Sequence, residues 1–239
     1  MKPKVICHMM SSVDGRLVAD RWSAPFDGTD QNELYEPYYE IGKELKARAW
    51  MIGNNTIQID NGVEIFDYRK YQPAKEFKTY TGKRETENTC IIFDSKGKII
   101  YPTDNINGDN VITVLGETVS EEYLSLLRER GISYIFAGKD GYDLDKALET
   151  LNMEFGYEKL LLDGGGVLNG KFLKAGLLDE LSLLIYPGVD GLSGASSIIE
   201  YKGETDELPA KGQSLELLSM KPLAYGIVCL HYKFHKLSK

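Results

Sequence analysis

Glu158-Lys159-Leu160-Leu161-Leu162-Asp163-Gly164-Gly165-Gly166-Val167-Leu168-Asn169-Gly170-Lys171-Phe172 is the stretch that decides how this chain is read. A short apolar run ends in three glycines and passes into a helical pattern that lasts to about Ala175. Strand, glycine turn and helix follow one another directly. Without a Cβ, glycine lets the backbone approach a ligand closely. The helix start adds N–H groups and the positive end of a dipole, which together suit a phosphate. The alternative is a turn whose glycines serve only close packing.

Two phosphate motifs nearly fit. Gly165 to Lys171 matches G-x-x-x-x-G-K, but Phe172 stands where a Ser or Thr would hold magnesium. Gly164-x-Gly166 begins G-x-G-x-x-G, but Asn169 occupies the place of the third glycine. The turn also lies late in the chain, whereas the dinucleotide fingerprint opens its fold.

Outward from this turn, apolar runs alternate with helical patterns. Val5 to Met10, Ala49 to Gly53, Thr89 to Phe93, Val111 to Leu115, Ile132 to Ala137 and Leu181 to Tyr186 read as strands. Asp30, Ser120 and Asp143 are expected to cap helices, with Gly131 and Gly156 closing the last two. Leu215 to Leu218 and Tyr225 to Phe234 look like a closing hairpin. The order predicts an α/β fold: a mostly parallel central sheet, flanking helices and an antiparallel end. Residues 60–88 show no period. Their basic-aromatic part, Tyr68 to Arg84, reads as a solvated loop, or alternatively as a lid or dimer arm.

Composition excludes several classes. The 239 residues carry a net charge of -8, which opposes nonspecific nucleic-acid binding. No apolar run reaches the ~18 residues of a membrane span. The start lacks a signal-peptide pattern, so a cytoplasmic location is expected. Cys7, Cys90 and Cys229 are scattered in strand-like runs, so buried thiols are expected rather than a metal site or disulfides. No H-E-x-x-H or G-x-S-x-G occurs. The three histidines read as structural, with His8 the exception because its strand leads into a turn. Asp14, Asp60 and Asp163 each follow a strand-like run, where carboxylates line ligand crevices of α/β sheets. Asp14 and Asp163 are the candidate catalytic and substrate-binding groups. Asn54-Asn55-Thr56 after Gly53 reads as an ordinary turn or as part of such a crevice.

These residues resemble a family. Ser11-Ser12-Val13-Asp14-Gly15-Arg16 is similar to the S-x-D-G-K/R signature of the riboflavin-pathway reductase domain, the RibD C-terminal domain. Thr56-x-x-x-Asp60 resembles its T-x-x-x-D, and Asp94-Ser95 its D-S after a strand. The segment from Gly164 through Lys174-Ala175-Gly176-Leu177-Leu178-Asp179-Glu180-Leu181 looks like its glycine turn followed by A-G-L-V-D-E-L. Pro187-Gly188 fits as well. The resemblance runs across 1–239 as one domain, with no deaminase domain ahead of it. It implies a dihydrofolate-reductase-like fold, bound NADPH, a small-molecule substrate and a homodimer. By position, Met10, Thr56, Asp60, Ser95 and Gly164, Gly165, Gly166, Val167, Leu168, Asn169, Gly170 and Lys171 would contact the cofactor. Lys96 is a candidate partner for its 2′-phosphate. The implied reaction reduces a ribosylaminopyrimidinone phosphate to its ribitylamino form.

Three departures stand on the substrate side. Asp163 replaces a Glu, Glu44 falls where an arginine belongs, and 60–67 departs from D-D-P-x-L-x-x-R. A different small carbonyl, imine or pterin-like substrate is therefore kept open. So are a phosphotransferase on the near P-loop and a nonenzymatic nucleotide-binding protein.

Overall fold

A computed structural model of the chain describes residues 1–61 and 63–237, without the side chains of Gln31, Ile59, Asp60 and Asn61. In chain order it contains β1 (Lys4–Ser12), α1 (Glu36–Glu44), β2 (Ala49–Gly53), α2 (Asn54–Asn61), β3 (Glu64–Ile65), β4 (Thr89–Phe93), β5 (Ile99–Ile100) and β6 (Asn105–Ile106). Then come β7 (Asp109–Leu115), α3 (Glu121–Glu129), β8 (Ser133–Phe136), α4 (Leu144–Phe155), β9 (Lys159–Leu162), α5 (Gly166–Lys174), β10 (Glu180–Tyr186), β11 (Gln213–Pro222) and β12 (Val228–Lys236). The class is mixed α/β with mostly parallel strands, as the alternation predicts.

Contacts divide the chain into two compact units. The first holds Met1–Pro3 and Arg48–Leu160. Its strands β2, β4, β7 and β8 run parallel, and β6 returns antiparallel to β7. Ile52, Cys90, Ile92, Val111 and Leu115 from the strands meet Tyr123, Leu124 and Leu127 of α3 in one core. The capping predictions hold here. The Ser120 side chain accepts from Tyr123 N and that of Asp143 from Lys146 N. Gly131 and Gly156 take the left-handed conformation past the ends of α3 and α4.

The basic-aromatic part of 60–88, Tyr68 to Arg84, read as a solvated loop, lid or arm, is largely exposed but anchored at several points. Beyond Gly62, which lies outside the described residues, the segment is docked. β3 pairs with β5, Tyr80 exchanges backbone hydrogen bonds with Tyr134, and Ala74 N donates to Val119 O at 2.8 Å. Phe66, Phe77 and Tyr80 pack on the core. Aromatic side chains at irregular spacing anchor it, so burial holds the segment without any secondary-structure period.

The second unit holds Lys4–Ala47 and the chain from Leu161 onward. Its strand order is β11-β12-β10-β1-β9. β1 and β10 are parallel, while β12 runs antiparallel to both β10 and β11. Asp30 caps a 3₁₀ turn over Gln31–Tyr35 rather than the α-helix itself, which begins at Glu36 with Pro37 in its first turn. The hairpin strands are longer than expected, and Tyr225 lies in the connecting turn with φ 60 rather than in a strand.

All three cysteines are buried and free, as expected. Among the described residues no helix is long and apolar enough to cross a membrane, and no cluster of metal-ligating side chains occurs.

Candidate active site

The glycine turn falls between β9 and α5. Gly164 has φ +95, which L side chains rarely adopt, and the Gly164–Gly165 peptide is cis. Gly165 is the N-cap of α5, so the first N–H groups of the helix lie immediately beyond it without helical partners. That geometry suits an anion.

Two of the glycines have another cause. A Cβ on Gly166 would stand 2.1 Å from Ser197 O, and one on Gly170 would stand 2.2 Å from Glu200 O. A strap over 195–201 lies directly on this helix face. Glu200 N donates to Gly166 O at 2.8 Å, and Asn169 Nδ2 donates to Ile198 O at 2.8 Å. Leu168 and Asn169 are buried. Their side chains face the protein, and Gly166 and Gly170 lie against the backbone of the strap. Gly165, Val167 and Lys171 keep partial exposure.

The remaining cofactor positions of the second unit are set by β1. Met10 is 8% exposed and packs with Trp22, Leu34, Ile41, Leu184 and Tyr186. Asp14 follows the strand as expected. Its carboxylate accepts from Ser12 Oγ at 2.6 Å, Gly191 N at 2.9 Å and Asp190 N at 3.1 Å. The Ser12 hydroxyl and these backbone donors depress its pKa to about 2. Asp14 is thus a fixed anion that clamps the loop after β10; its form at neutral pH has no proton to give.

Asp163 is the opposite case. Burial pushes its pKa up to about 7, although a hydrogen bond with the Tyr38 hydroxyl opposes that shift. Its Oδ1 is shut away from solvent with no hydrogen-bond partner among the described residues. Tyr38 is held by His8. The two rings stack with centroids 4.2 Å apart at 12°. His8 Nε2 lies 3.0 Å from Tyr38 O, and the Tyr38 hydroxyl donates to His8 O at 3.2 Å. A carbonyl only accepts, so Nε2 carries the imidazole proton and Nδ1 accepts from Ser182 Oγ at 3.1 Å. Burial lowers the His8 pKa to about 4, which keeps the ring neutral. His8, singled out for its place near a turn, is a buried structural residue.

The first unit carries the other implied cofactor residues at the carboxyl ends of its parallel strands. Thr56 lies in the first turn of α2, which corrects the reading of 54–56 as an ordinary turn. Asp60 belongs to the same helix rather than following a strand, and its side chain lies outside the described residues. Ser95 follows β4, and its carbonyl accepts from Gly116 N at 2.9 Å. A Cβ on Gly116 would meet Ser95 O at 2.8 Å, and one on Gly141 would meet the Ser95 Cβ at 2.5 Å. Two further strand-end turns therefore pack against Ser95. Asp94 fixes this corner. Its buried carboxyl accepts from Lys98 N at 2.6 Å, Ile99 N at 2.9 Å, Tyr123 Oη at 3.2 Å and Asn54 Nδ2 at 3.2 Å. Lys96 Nζ sits 5.6 Å from the Tyr68 ring centroid, so it spends its charge on an aromatic face in this structure.

The residues that the sequence reading does not single out are Tyr38, Gly116 and Gly141. Nothing in the spacing of Tyr38 signals its pairing with His8. Gly116 stands just after a strand-like run, which was a usable signal.

Parallel strands with ligand-suited turns at their carboxyl ends and an antiparallel pair at the chain's end define a dihydrofolate-reductase-like α/β fold. A model of the RibD C-terminal domain matches residues 3–229, across both units, and the chain belongs to that family. A 2,5-diamino-6-ribosylamino-4(3H)-pyrimidinone 5′-phosphate reductase of Methanothermobacter thermautotrophicus is 27% identical over 205 residues, covering 85% of this chain and 86% of the relative. The enzyme of the same name from Aquifex aeolicus is 25% identical, with 84% of each chain covered. In structure, a pyrimidine reductase-like protein of Corynebacterium diphtheriae matches with a TM-score of 0.66 at 18% identity, covering 98% of this chain and 92% of its own. The Saccharomyces riboflavin biosynthesis reductase Rib7 matches with a TM-score of 0.57 at 15% identity, covering 98% and 90%.

Proposed function

We propose that this chain is an NADPH-dependent reductase that converts 2,5-diamino-6-ribosylamino-4(3H)-pyrimidinone 5′-phosphate to its ribitylamino counterpart. The relatives that bear this activity in their names align over most of their length and of this chain. The observation that carries the chemistry is Asp163, a buried carboxyl that titrates near neutrality directly ahead of an anion-suited helix start.

The start of α5, at Gly166 and Val167, offers backbone N–H groups that suit a phosphate of the cofactor. NADPH, when bound, supplies the hydride. The carbon that takes it is C1′ of the ribose. As C1′–O4′ breaks, O4′ requires a proton, and the raised pKa of Asp163 supports it as the donor. Water restores that proton between turnovers. Asp14, held as an anion, contributes loop geometry instead.

The test follows NADPH absorbance with the phosphorylated pyrimidinone and, in parallel, its dephosphorylated form. Turnover of the first supports the reading. NADPH binding without turnover removes this substrate, and tight ATP–magnesium binding without NADPH binding removes the reductase. The dephosphorylated arm matters because Glu44, at the position where an arginine is implied, pairs here with Lys221 at 3.3 Å. Arg69 and Lys70 both pair with Asp67.

The chain is also proposed to form a homodimer through β11. Leu215, Leu217, Leu218 and Met220 are 49%, 53%, 46% and 67% exposed along this edge strand. A long apolar edge is a liability unless covered, and a second copy offers the matching surface.

A further inference from the structure

The start of α5 leaves few N–H groups to a ligand. Leu168 N donates back to Gly165 O at 2.9 Å, and Asn169 N to the same oxygen at 3.1 Å. The amides of Gly166 and Val167 remain, ahead of the helical ladder. Gly166 O shares a peptide unit with the Val167 N–H, and it accepts from Glu200 N at 2.8 Å. A peptide unit is planar, so a hydrogen bond that fixes its oxygen also fixes the direction of its N–H. The 195–201 strap therefore aims one of the two amides. The strap is held in turn by the chain that follows β1. Arg16 and Ser197 form an antiparallel bridge, and Leu17 N donates to Ser196 O at 2.9 Å. The Arg16 side chain adds a bond from Nη1 to Ala195 O at 2.7 Å.

We propose that Arg16 is a positioning residue: through the strap it sets the direction of the Val167 N–H, and so the affinity of the α5 start for a cofactor phosphate. This rests on the reductase reading above, in which that phosphate belongs to NADPH. Arg16 joins two anchors. Nη1 reaches the strap, while Nε faces Asp14 Oδ2 at 3.9 Å, an ion pair beyond hydrogen-bond length. Asp14 holds the backbone of Asp190 and Gly191. The Arg16 and Asp14 side chains are 26% and 28% exposed, so water screens the pair only in part. Arg21 makes two bonds of 2.8 Å to Asp190, and Ser23 Oγ accepts from Val189 N. Asp14, Arg21 and Ser23 thus act on 189–191, whereas the Arg16 side chain acts on the strap itself. Its removal loosens 195–201 and leaves the start of the loop anchored. The effect on the phosphate is indirect, because the guanidinium is spent on Ala195 O and Asp14.

The decisive variant is Arg16→Ala, which removes the guanidinium and keeps the Leu17 N to Ser196 O bond. The Kd for NADPH is expected to rise about fivefold, the net worth of one hydrogen bond. In turnover the same factor should fall on KM for NADPH, with kcat little changed. Hydrogen exchange at the Glu200 amide should quicken in parallel. Arg16→Lys can still reach Ala195 O and face Asp14, and it should restore both readouts. A purely structural role would lower Tm while leaving the Kd of the folded protein and the exchange at Glu200 unmoved. An unchanged Kd in folded Arg16→Ala overturns the proposal. So does a raised Kd with Glu200 still protected, because Arg16 would then act on the ligand directly. Should that variant not fold, Arg16→Gln keeps a single N–H donor without the charge, and the same two results overturn the proposal. Failure of the cofactor reading looks different, because the unmodified protein then binds no NADPH. Inorganic pyrophosphate, followed at the Gly166 and Val167 amide resonances, then decides: a weaker response in Arg16→Ala supports the positioning role. Identical titrations in the two proteins, or none in either, overturn it.

Discussion

Gly170→Ala separates a packing glycine from a ligand-binding one. On an α-helix the change alone is favourable by about 1 kcal/mol. In this fold the new Cβ would meet Glu200 O at 2.2 Å, Glu200 C at 2.4 Å and Tyr201 N at 2.6 Å, all backbone. Ordinary contact begins at 3.4 Å, so the strap must retreat by 1.2 Å, the difference between 3.4 and 2.2. That motion stretches the Glu200 N to Gly166 O bond, now 2.8 Å, and the Asn169 Nδ2 to Ile198 O bond, also 2.8 Å, beyond useful length. Two hydrogen bonds at about 1 kcal/mol each and overpacking at about 1–3 kcal/mol outweigh the helix gain. The net loss is roughly 2–4 kcal/mol. For a chain of this size, that lowers Tm by on the order of 10 °C. Thermal and urea unfolding measure it, and hydrogen exchange at the Glu200 amide locates it. A variant as stable as the parent, or more stable, would refute the packing reading. An unchanged Tm with lost NADPH binding would return Gly170 to the cofactor.

Other perturbations probe the remaining assignments. Gly165→Asp places a carboxylate at the start of α5, where it opposes an anion; NADPH affinity by fluorescence titration should vanish, and an unchanged affinity would remove the phosphates from this turn. Asp163→Asn should become more stable than the parent as pH rises. The folded pKa of about 7 lies above the ordinary carboxyl value of 3.8, so the parent loses stability between these pH values and the variant does not. The loss is about 4 kcal/mol at most and nearer 2 after allowance for partial exposure of the residue. Parallel Tm–pH curves for the two proteins would rule this out. Leu217→Glu puts a charge on the exposed edge strand and should give monomers in sedimentation velocity; an unchanged association state would exclude β11 as the dimer contact.

Much of the fold is legible because its signals are local. Ser120, Asp143, Gly131 and Gly156 mark helix ends by their own hydrogen-bonding and backbone chemistry, and each does so in the structure. Strands buried on both faces, such as Thr89–Phe93, announce themselves as unbroken apolar runs. What is not legible depends on distant partners. Residues 63–88 lack a period because aromatic anchors, not a repeating face, hold them against the core. Tyr38 reads as one apolar position among several on α1, yet its hydroxyl and carbonyl are committed to a strand 30 residues away. For Gly166 and Gly170, spacing alone leaves ligand approach and close packing equal. The strap at 195–201 supplies a packing reason for both that the spacing does not show.

The charge of the chain explains why its anion-binding capacity rests in the backbone. Arg21 is tied to Asp190, Arg69 to Asp67, Arg128 to Glu121 and Lys174 to Glu207. With a net charge of -8, side chains give little general attraction for a phosphate. The positive ends of α2 and α5 do not titrate and have no carboxylate partner in their own first turns. They act over a short range, within about one turn of helix. An anion is then held only where it touches the N–H groups, so position rather than overall charge determines what binds. The proposed proton donor and the helix start proposed for the phosphate are adjacent in sequence because one turn, Asp163 to Gly166, ends the strand and begins the helix.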